Sequence, residues 1–288
     1  MAHLDVDGNG LYYEETGSGE PVVFVHGNWT EHSTWRLTVP ELPAGLRAVV
    51  YDRRGSGRSQ RSRERLTRRL HEDDLAAVIE ALGPAPAHVV ANSYGASTAL
   101  GLAARRPELF LSLVAHEPSL LSVVGDDPAA VAAIARTEAT LDAVRERLEA
   151  CDPAGGAERF VEEVALGPGG WASLPEFIRA TMVANAYVVA EEMRDPALGD
   201  IDLEALAEVE VPILLTKGDQ SPDWFYGIVN RLAEAIGRDP LTILGAGHNP
   251  HATHPAQLAA IVAAFAQGRS RMMSLSESSG RSKRALTA

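Results

Sequence analysis

The stretch Ala87-His88-Val89-Val90-Ala91-Asn92-Ser93-Tyr94-Gly95-Ala96-Ser97-Thr98-Ala99-Leu100 puts one serine where nucleophilic chemistry is possible. Its apolar first half predicts a short strand and its Ala/Leu-rich second half a helix, so Ser93 falls on the turn between them. A serine there stands at the C-terminal edge of a sheet with its hydroxyl exposed, and the amides that follow open a helix, where negative charge is favoured. The spacing is small-x-Ser-x-Gly with Ala91 in place of the usual first glycine, and the same residues could serve as a purely structural turn. Two other stretches could complete the chemistry. In His26-Gly27-Asn28 the glycine lets the backbone approach a substrate, and the N–H groups of Asn28 and Tyr94 would make an oxyanion hole. In Leu244-Gly245-Ala246-Gly247-His248-Asn249-Pro250 a histidine sits on a glycine-rich loop. Imidazole titrates near neutrality, so His248 could take the serine proton and return it to a leaving group. His251 and His254 lie close by, but no acidic third ligand accompanies them at a zinc spacing, and no metal site is expected. His254 reads as a helix-start residue before Pro255.

Strands must carry these groups to one edge. Residues 2–16 predict a hairpin joined by Asp7-Gly8-Asn9-Gly10, because Gly and Asn tolerate positive φ. Pro21 to Gly27 and Arg47 to Tyr51 are continuous β-branched runs of the kind buried on both faces of a parallel sheet. A helix is expected after the first, into residue 41, and others over roughly 66–83 and 95–106, with a strand near 111–116. Strands separated by helices mean βαβ units and a parallel sheet. Between about residues 118 and 208 the pattern changes to Ala/Glu/Arg/Leu segments at helical period, at Pro128 to Glu149, Ala157 to Leu166 and Leu174 to Arg194. This is an inserted helical cap. Strand signals return at Val211 to Thr216 and Pro240 to Leu244, before a last helix over roughly 254–266. The expected division is a core of residues 1–118 and 209–267, a cap of 119–208 and a Ser/Arg-rich disordered tail of 268–288.

Composition narrows the class. With 39 acidic and 26 basic residues in 288, the net charge of −13 argues against a nucleic-acid or anionic-membrane surface, so function is expected to be read from a pocket. The single cysteine, Cys151, permits no internal disulfide and no cysteine-based metal site. The N-terminus lacks a basic region followed by an apolar one, and no segment reaches the length of a membrane span. A soluble, cytoplasmic protein acting on a small molecule is the expectation; oligomeric state is not legible.

Ser93 in its turn, His26-Gly27, Asp52-Arg53-Arg54-Gly55-Ser56-Gly57-Arg58-Ser59 and Gly247-His248 together resemble the α/β-hydrolase superfamily, over roughly residues 2–118 and 209–267. The resemblance implies an α/β fold with a mostly parallel eight-stranded sheet, helices on both faces and a helical cap after the sixth strand. It makes the Asp52–Ser59 loop chiefly structural. Its arginines, with Arg61, Arg63 and Arg65, could attract an anionic substrate, although a solvated charged loop is the simpler reading. Members often carry their catalytic acid about three residues beyond a glycine after the strand that follows the cap. Here that position is Ser221, with Asp219 and Asp223 as near misses. Members resembling haloalkane dehalogenases carry it instead at the end of the strand before the cap, which here reads Val114-Ala115-His116-Glu117-Pro118. The resemblance therefore implies Glu117 as the acid, with Asp219 and then Asp223 as alternatives.

His26-Gly27-Asn28-Trp29-Thr30 also resembles the dehalogenase and epoxide-hydrolase branch, but those enzymes attack with aspartate. A serine there would form an ether with no carbonyl for water to attack. Acyl-enzyme chemistry suits Ser93, on an ester, lactone, thioester or cleavable β-diketone. The expectation is a serine hydrolase with no cofactor. A lyase or biosynthetic cyclase that moves protons with Ser93 and His248 is the alternative, and a ligand-binding receptor on this scaffold is a third. Trp29, Trp35, Trp171 and Trp224 are read as core or pocket wall.

Overall fold

Alternation within the apolar runs decides how the sheet is covered. The computed structural model describes residues 2–82, 86–124 and 128–268, so residues 269–288 of the expected tail lie outside the described residues. Its strands are β1 (Ala2–Val6), β2 (Asn9–Gly17), β3 (Gly19–Val25), β4 (Gly45–Tyr51), β5 (Ala87–Asn92), β6 (Phe110–His116), β7 (Ile213–Gly218) and β8 (Leu241–Ile243). They form one sheet in the order β1-β2-β4-β3-β5-β6-β7-β8. Pairing is antiparallel for β1 with β2 and for β2 with β4, and parallel from β4 onward. The β1–β2 hairpin turns on Asp7 (φ 51) and Gly8 (φ 76), the two successive positive φ values of a type I′ turn.

The helices are, in chain order, α1 (Arg68–Leu82), α2 (Tyr94–Arg105), α3 (Pro128–Glu149), α4 (Pro153–Phe160), α5 (Gly170–Ser173), α6 (Glu176–Glu192), α7 (Leu203–Ala207), α8 (Asp223–Ala235), α9 (Pro250–Thr253) and α10 (Pro255–Ala266). Val23, Val25, Val89 and Leu113 pack beneath Leu75, Ile79, Leu100 and Ile228 of α1, α2 and α8. Val22, Phe24, Val90 and Val114 face the other way, onto Trp35 and onto Leu258, Ile261 and Phe265 of α10. Each such side chain, fully buried, contributes roughly 1.5–3 kcal/mol over leaving it exposed, which is why a strand apolar at every position sits between two helical layers. Among the described residues no helix is long and apolar enough to cross a membrane.

Several local expectations are corrected. The helix expected up to residue 41 is two short 3-10 turns, His32–Trp35 and Val39–Glu41, and Pro40 and Pro43 remove the donors a longer helix would need. The helix expected over 157–166 is α4 followed by a wider turn, Val161–Ala165, in which the Leu166 N–H bonds Val161 O. Helix α8 is additional to the expected elements. Its apolar side chains Phe225, Ile228, Val229 and Leu232 are buried at helical spacing, and together they supply the crossover that β7 and β8 require.

The helical segments between β6 and β7 gather around Trp29, which rises from the loop after β3. Val144 of α3, Ala157 of α4 and Met182, Ala186 and Val189 of α6 are buried with it.

Helix α2 approaches β3 closely because residue 95 is glycine: a Cβ there would lie 2.5 Å from His26 O and 2.6 Å from Val25 O. Gly95→Ala is expected to cost about 1–3 kcal/mol, read as a lower urea midpoint at unchanged slope. Gly10→Ala is the control, because its new methyl meets nothing closer than 3.7 Å.

Candidate active site

Strand β5, buried along its whole length, ends at Asn92, and Ser93 turns the chain into α2 with φ 55 and ψ −125. A residue with a Cβ holds such a conformation only where its surroundings over-determine it. Here the Ser93 N–H donates to His116 O at 2.9 Å, and Ser93 O accepts the Ser97 N–H at 3.0 Å. On the opposite side Gly27 leaves room, since a Cβ on it would come within 3.0 Å of Ser93 Cβ. Beyond the serine, the Asn92 amide donates to His248 O at 3.0 Å, tying the histidine loop to the end of β5.

His248 follows β8, and its Nδ1 lies 2.7 Å from Glu117 Oε2. Glu117 comes from the end of β6, neighbour to β7 in the sheet. Its N–H bonds Thr216 O at 3.1 Å, extending the ladder by one residue. The chain then turns at φ 43, and Oε1 accepts the Gly218 N–H at 2.8 Å. Both carboxylate oxygens are thus engaged and the side chain is fully buried. Burial alone would raise the Glu117 carboxyl, but the hydrogen bond to His248 and the nearby imidazoles hold it below the ordinary value. Phe225 of α8 stacks on the His248 ring at 4.2 Å between centroids and 18° between planes, which limits the ring's rotation.

The peptide joining Gly27 and Asn28 is held from behind. Gly27 O lies 2.8 Å from His26 Nδ1 and 3.2 Å from Arg53 Nη2. His26 Nε2 accepts the Arg53 N–H at 3.0 Å, so Nδ1 carries the ring proton, and burial pushes this imidazole down to about 3. Because C=O and N–H point opposite ways across a planar trans peptide, the Asn28 N–H faces away from Arg53. Tyr94, the first residue of α2, has no carbonyl one turn earlier to occupy its N–H. Asn28, Tyr94 and Ser93 all line the smaller of two adjoining cavities.

The larger cavity, of about 310 Å³, is walled by Trp29, Phe160, Leu166, Leu174 and Ile178 together with Ser93 and His248. The smaller, of about 70 Å³, is bounded by Leu141, Val164, Val189, Trp224 and Phe225. Asn28, Trp29, Ser93, Phe160, Ala165 and His248 border both, so the serine stands at the waist of a two-chambered, mostly apolar space. Of the tryptophans, Trp29 and Trp224 are walls, Trp35 is core against Phe24 and His251, and Trp171 packs partly buried on the helical layer.

Asp219 and Asp223 are exposed; Asp219 caps the Gly245 N–H at 2.7 Å and Asp223 begins α8. Neither carboxylate contacts His248. The solvated reading of the Asp52–Ser59 loop is corrected for two of its arginines. Arg53 is buried in an ion pair with Glu192 of α6, and Arg54 in one with Asp74. Tertiary pairing, which sequence spacing does not encode, takes both out of water. Arg61, Arg63 and Arg65 are exposed as expected. His254 stands at the N-cap position of α10 with no side-chain capping bond, and His251 is buried beneath the larger cavity. Among the described residues, ligand-bearing atoms of His116, Glu117 and His248 lie within 4.8 Å of one another, with the Glu117 oxygens already engaged by His248 and Gly218.

Burial holds three imidazoles around the site neutral, pushing His26 down to about 3, His116 to about 4 and His251 to about 3, against 6.5 when unfolded. Between those values the unfolded chain binds more protons than the native one, so stability falls as pH falls. His32, which burial alone would lower but Asp52 raises, opposes the trend. Urea unfolding is expected to lose stability from pH 6.5 down to about 4, each buried histidine adding a slope of up to about 1.4 kcal/mol per pH unit. Replacing His251 by Asn should flatten that slope.

Residues 22–261 match the profile of the alpha/beta hydrolase family. The chain is 42% identical over 106 residues to BpoC of Mycobacterium tuberculosis, provisionally named a non-heme bromoperoxidase, covering 36% of this chain and 40% of that protein. It is 36% identical over 104 residues to the 2-hydroxymuconate semialdehyde hydrolase of Pseudomonas sp. strain CF600, covering 35% and 37%. The matched stretch thus spans less than half the length of each of these relatives. Among solved structures, an esterase from Thermogutta terrifontis superposes with a TM-score of 0.73 at 24% identity, covering 93% of this chain and 97% of that one, a likeness of fold. With an eight-stranded sheet of the same architecture and a profile match that runs from β3 into α10, the chain belongs to the alpha/beta hydrolase family.

Proposed function

We propose that this protein is a serine hydrolase that cleaves an ester, lactone or related acyl bond of a small, largely apolar molecule through an acyl-enzyme intermediate. One observation carries the reading: Ser93, held on a strained turn, lines the same mostly apolar cavity as His248, whose Nδ1 is bonded at 2.7 Å to a buried carboxylate. A charged Glu117 keeps the proton on His248 Nδ1, so Nε2 is free to accept the Ser93 hydroxyl proton as Oγ attacks the substrate carbonyl. The oxygen that gains charge is received by the Asn28 and Tyr94 N–H groups, each such donor stabilising the transition state by roughly 3–4 kcal/mol. Collapse expels the alcohol, which takes the proton from Nε2; water, deprotonated by the same nitrogen, then releases the acid. The helical insertion acts as a cap in this reading, because Phe160, Leu166 and Leu174 wall the space in which the acyl group sits. A relative named as a hydrolase and a fold neighbour named as an esterase are consistent with it.

Pre-steady-state kinetics on p-nitrophenyl esters from acetate to octanoate test the assignment. A burst of one equivalent is expected, and Ser93→Ala should abolish it. Glu117→Gln should slow acylation roughly 10²- to 10⁴-fold by loosening the imidazole and its tautomer, whereas Asp219→Asn should stay near wild type. Turnover that survives in Ser93→Ala would turn the assignment toward lyase or cyclase chemistry, and tight ligand binding without turnover toward a receptor.

A further inference from the structure

Arg53 is an unusual residue to find behind a candidate oxyanion hole. Its guanidinium is fully buried, pairs through Nη1 with Glu192 of α6, and spreads over the Tyr94 ring at 4.7 Å. Nη2 reaches forward to Gly27 O at 3.2 Å and to Asn28 Oδ1 at 3.5 Å. Glu192 is itself fully buried and lies 2.8 Å from His71 Nε2. Stability is a poor account of this cluster. Removing two charges from water costs several kcal/mol per ion, and well-packed apolar residues commonly serve as well. The pair also leaves Arg53 Nε and Glu192 Oε2 without hydrogen-bond partners among the described residues. What an apolar pair could not do is grip a carbonyl oxygen. Arg53 touches both residues whose N–H groups would bind the oxyanion, on the face turned away from the cavity.

We infer that Arg53, anchored by Glu192, is a positioning residue that sets the orientation of the Gly27–Asn28 peptide, so that the Asn28 N–H points into the cavity. This rests on the serine-hydrolase reading above. The mechanism is geometric: the planar fork of Arg53 has one arm on Glu192 and the other on Gly27 O, and fixing that oxygen fixes the N–H on the opposite side of the peptide. Because Glu192 belongs to the helical insertion while Arg53 and Gly27 belong to loops at the sheet edge, docking of α6 and formation of the hole become one event. Lysine in place of Arg53 keeps the charge but has a single ammonium, which cannot hold both partners in this planar geometry.

The test uses the full chain with Arg53→Lys and Glu192→Gln, alone and together. Three readouts are taken: ester kinetics, inhibition by a trifluoromethyl ketone whose adduct carries an oxyanion, and amide hydrogen exchange across residues 26–30. Arg53→Lys is expected to lower kcat about 10- to 100-fold with KM within about threefold, to weaken the ketone in proportion, and to speed exchange over 26–30 but not over 111–116. Glu192→Gln should move the same quantities less, and the double variant no further than Arg53→Lys, since both act through one contact. Wild-type kcat, or wild-type exchange over 26–30, in a folded Arg53→Lys protein would overturn the role; if that variant does not fold, Glu192→Gln decides by the same readouts. A loss of kcat that merely follows the folded fraction overturns it as well. Failure of a fluorophosphonate to label Ser93 in the wild type would instead strike the hydrolase reading, and the positioning role with it.

Discussion

The site depends on one close approach: the backbone at the start of α2 lies against the end of β3. Carbonyl oxygens of Val25 and His26 occupy the space a Cβ at residue 95 would need, and Gly27 yields space in turn to Ser93. That proximity forces Ser93 into a backbone conformation which costs of order 1–3 kcal/mol. The cost is offset by the burial of β5 on both faces and by the bonds Ser93 makes to His116 O and to the Ser97 N–H. Two loops that follow different strands are thereby brought to one point. The proposed nucleophile and the proposed oxyanion donors meet because the strands that carry them, β3 and β5, are hydrogen-bonded neighbours.

Strand adjacency likewise explains where the proposed acid comes from. The ends of β6 and β7 lie side by side, so a carboxylate on either could turn toward a histidine on the loop after β8. In this chain β6 carries it. Glu117 adds one more rung to the ladder with Thr216, turns through a positive φ and closes its second oxygen on Gly218, while Ser221 stands where the commoner pattern has an acid. Asp219 instead holds the Gly245 N–H and shapes the histidine loop from outside. Two carboxylates at neighbouring strand ends thus have different work because one is buried and the other is not.

The helical layer between β6 and β7 contributes on two scales. Its apolar residues divide the space around Ser93 into a large and a small chamber, with Trp29 as the post between them. Glu192, fully buried, reaches through to Arg53 and so to the peptide beneath the serine. Access and electrostatics are joined in the same helix, α6.

The architecture was largely legible in residue order. Apolar runs of five to seven residues, turn signals such as Asp7-Gly8, and the small residues around Ser93 identify strands, hairpin and turn, because these depend on interactions within a few residues of chain. His248 was legible for the same reason, as a histidine on a glycine-rich loop after a strand. Glu117 is legible only through family resemblance, since nothing within the chain near residue 117 distinguishes it from Asp219. What separates them is burial and the neighbour across the sheet, and both are properties of the folded molecule. The roles of Arg53 and Glu192, 139 positions apart, were not legible at all. Charged residues in polar stretches read as solvated until packing removes the water around them. Local propensity and period thus determined the elements and the order of the chemistry along the chain, and the tertiary structure decided which charges are buried, which partners they meet and which peptide they hold.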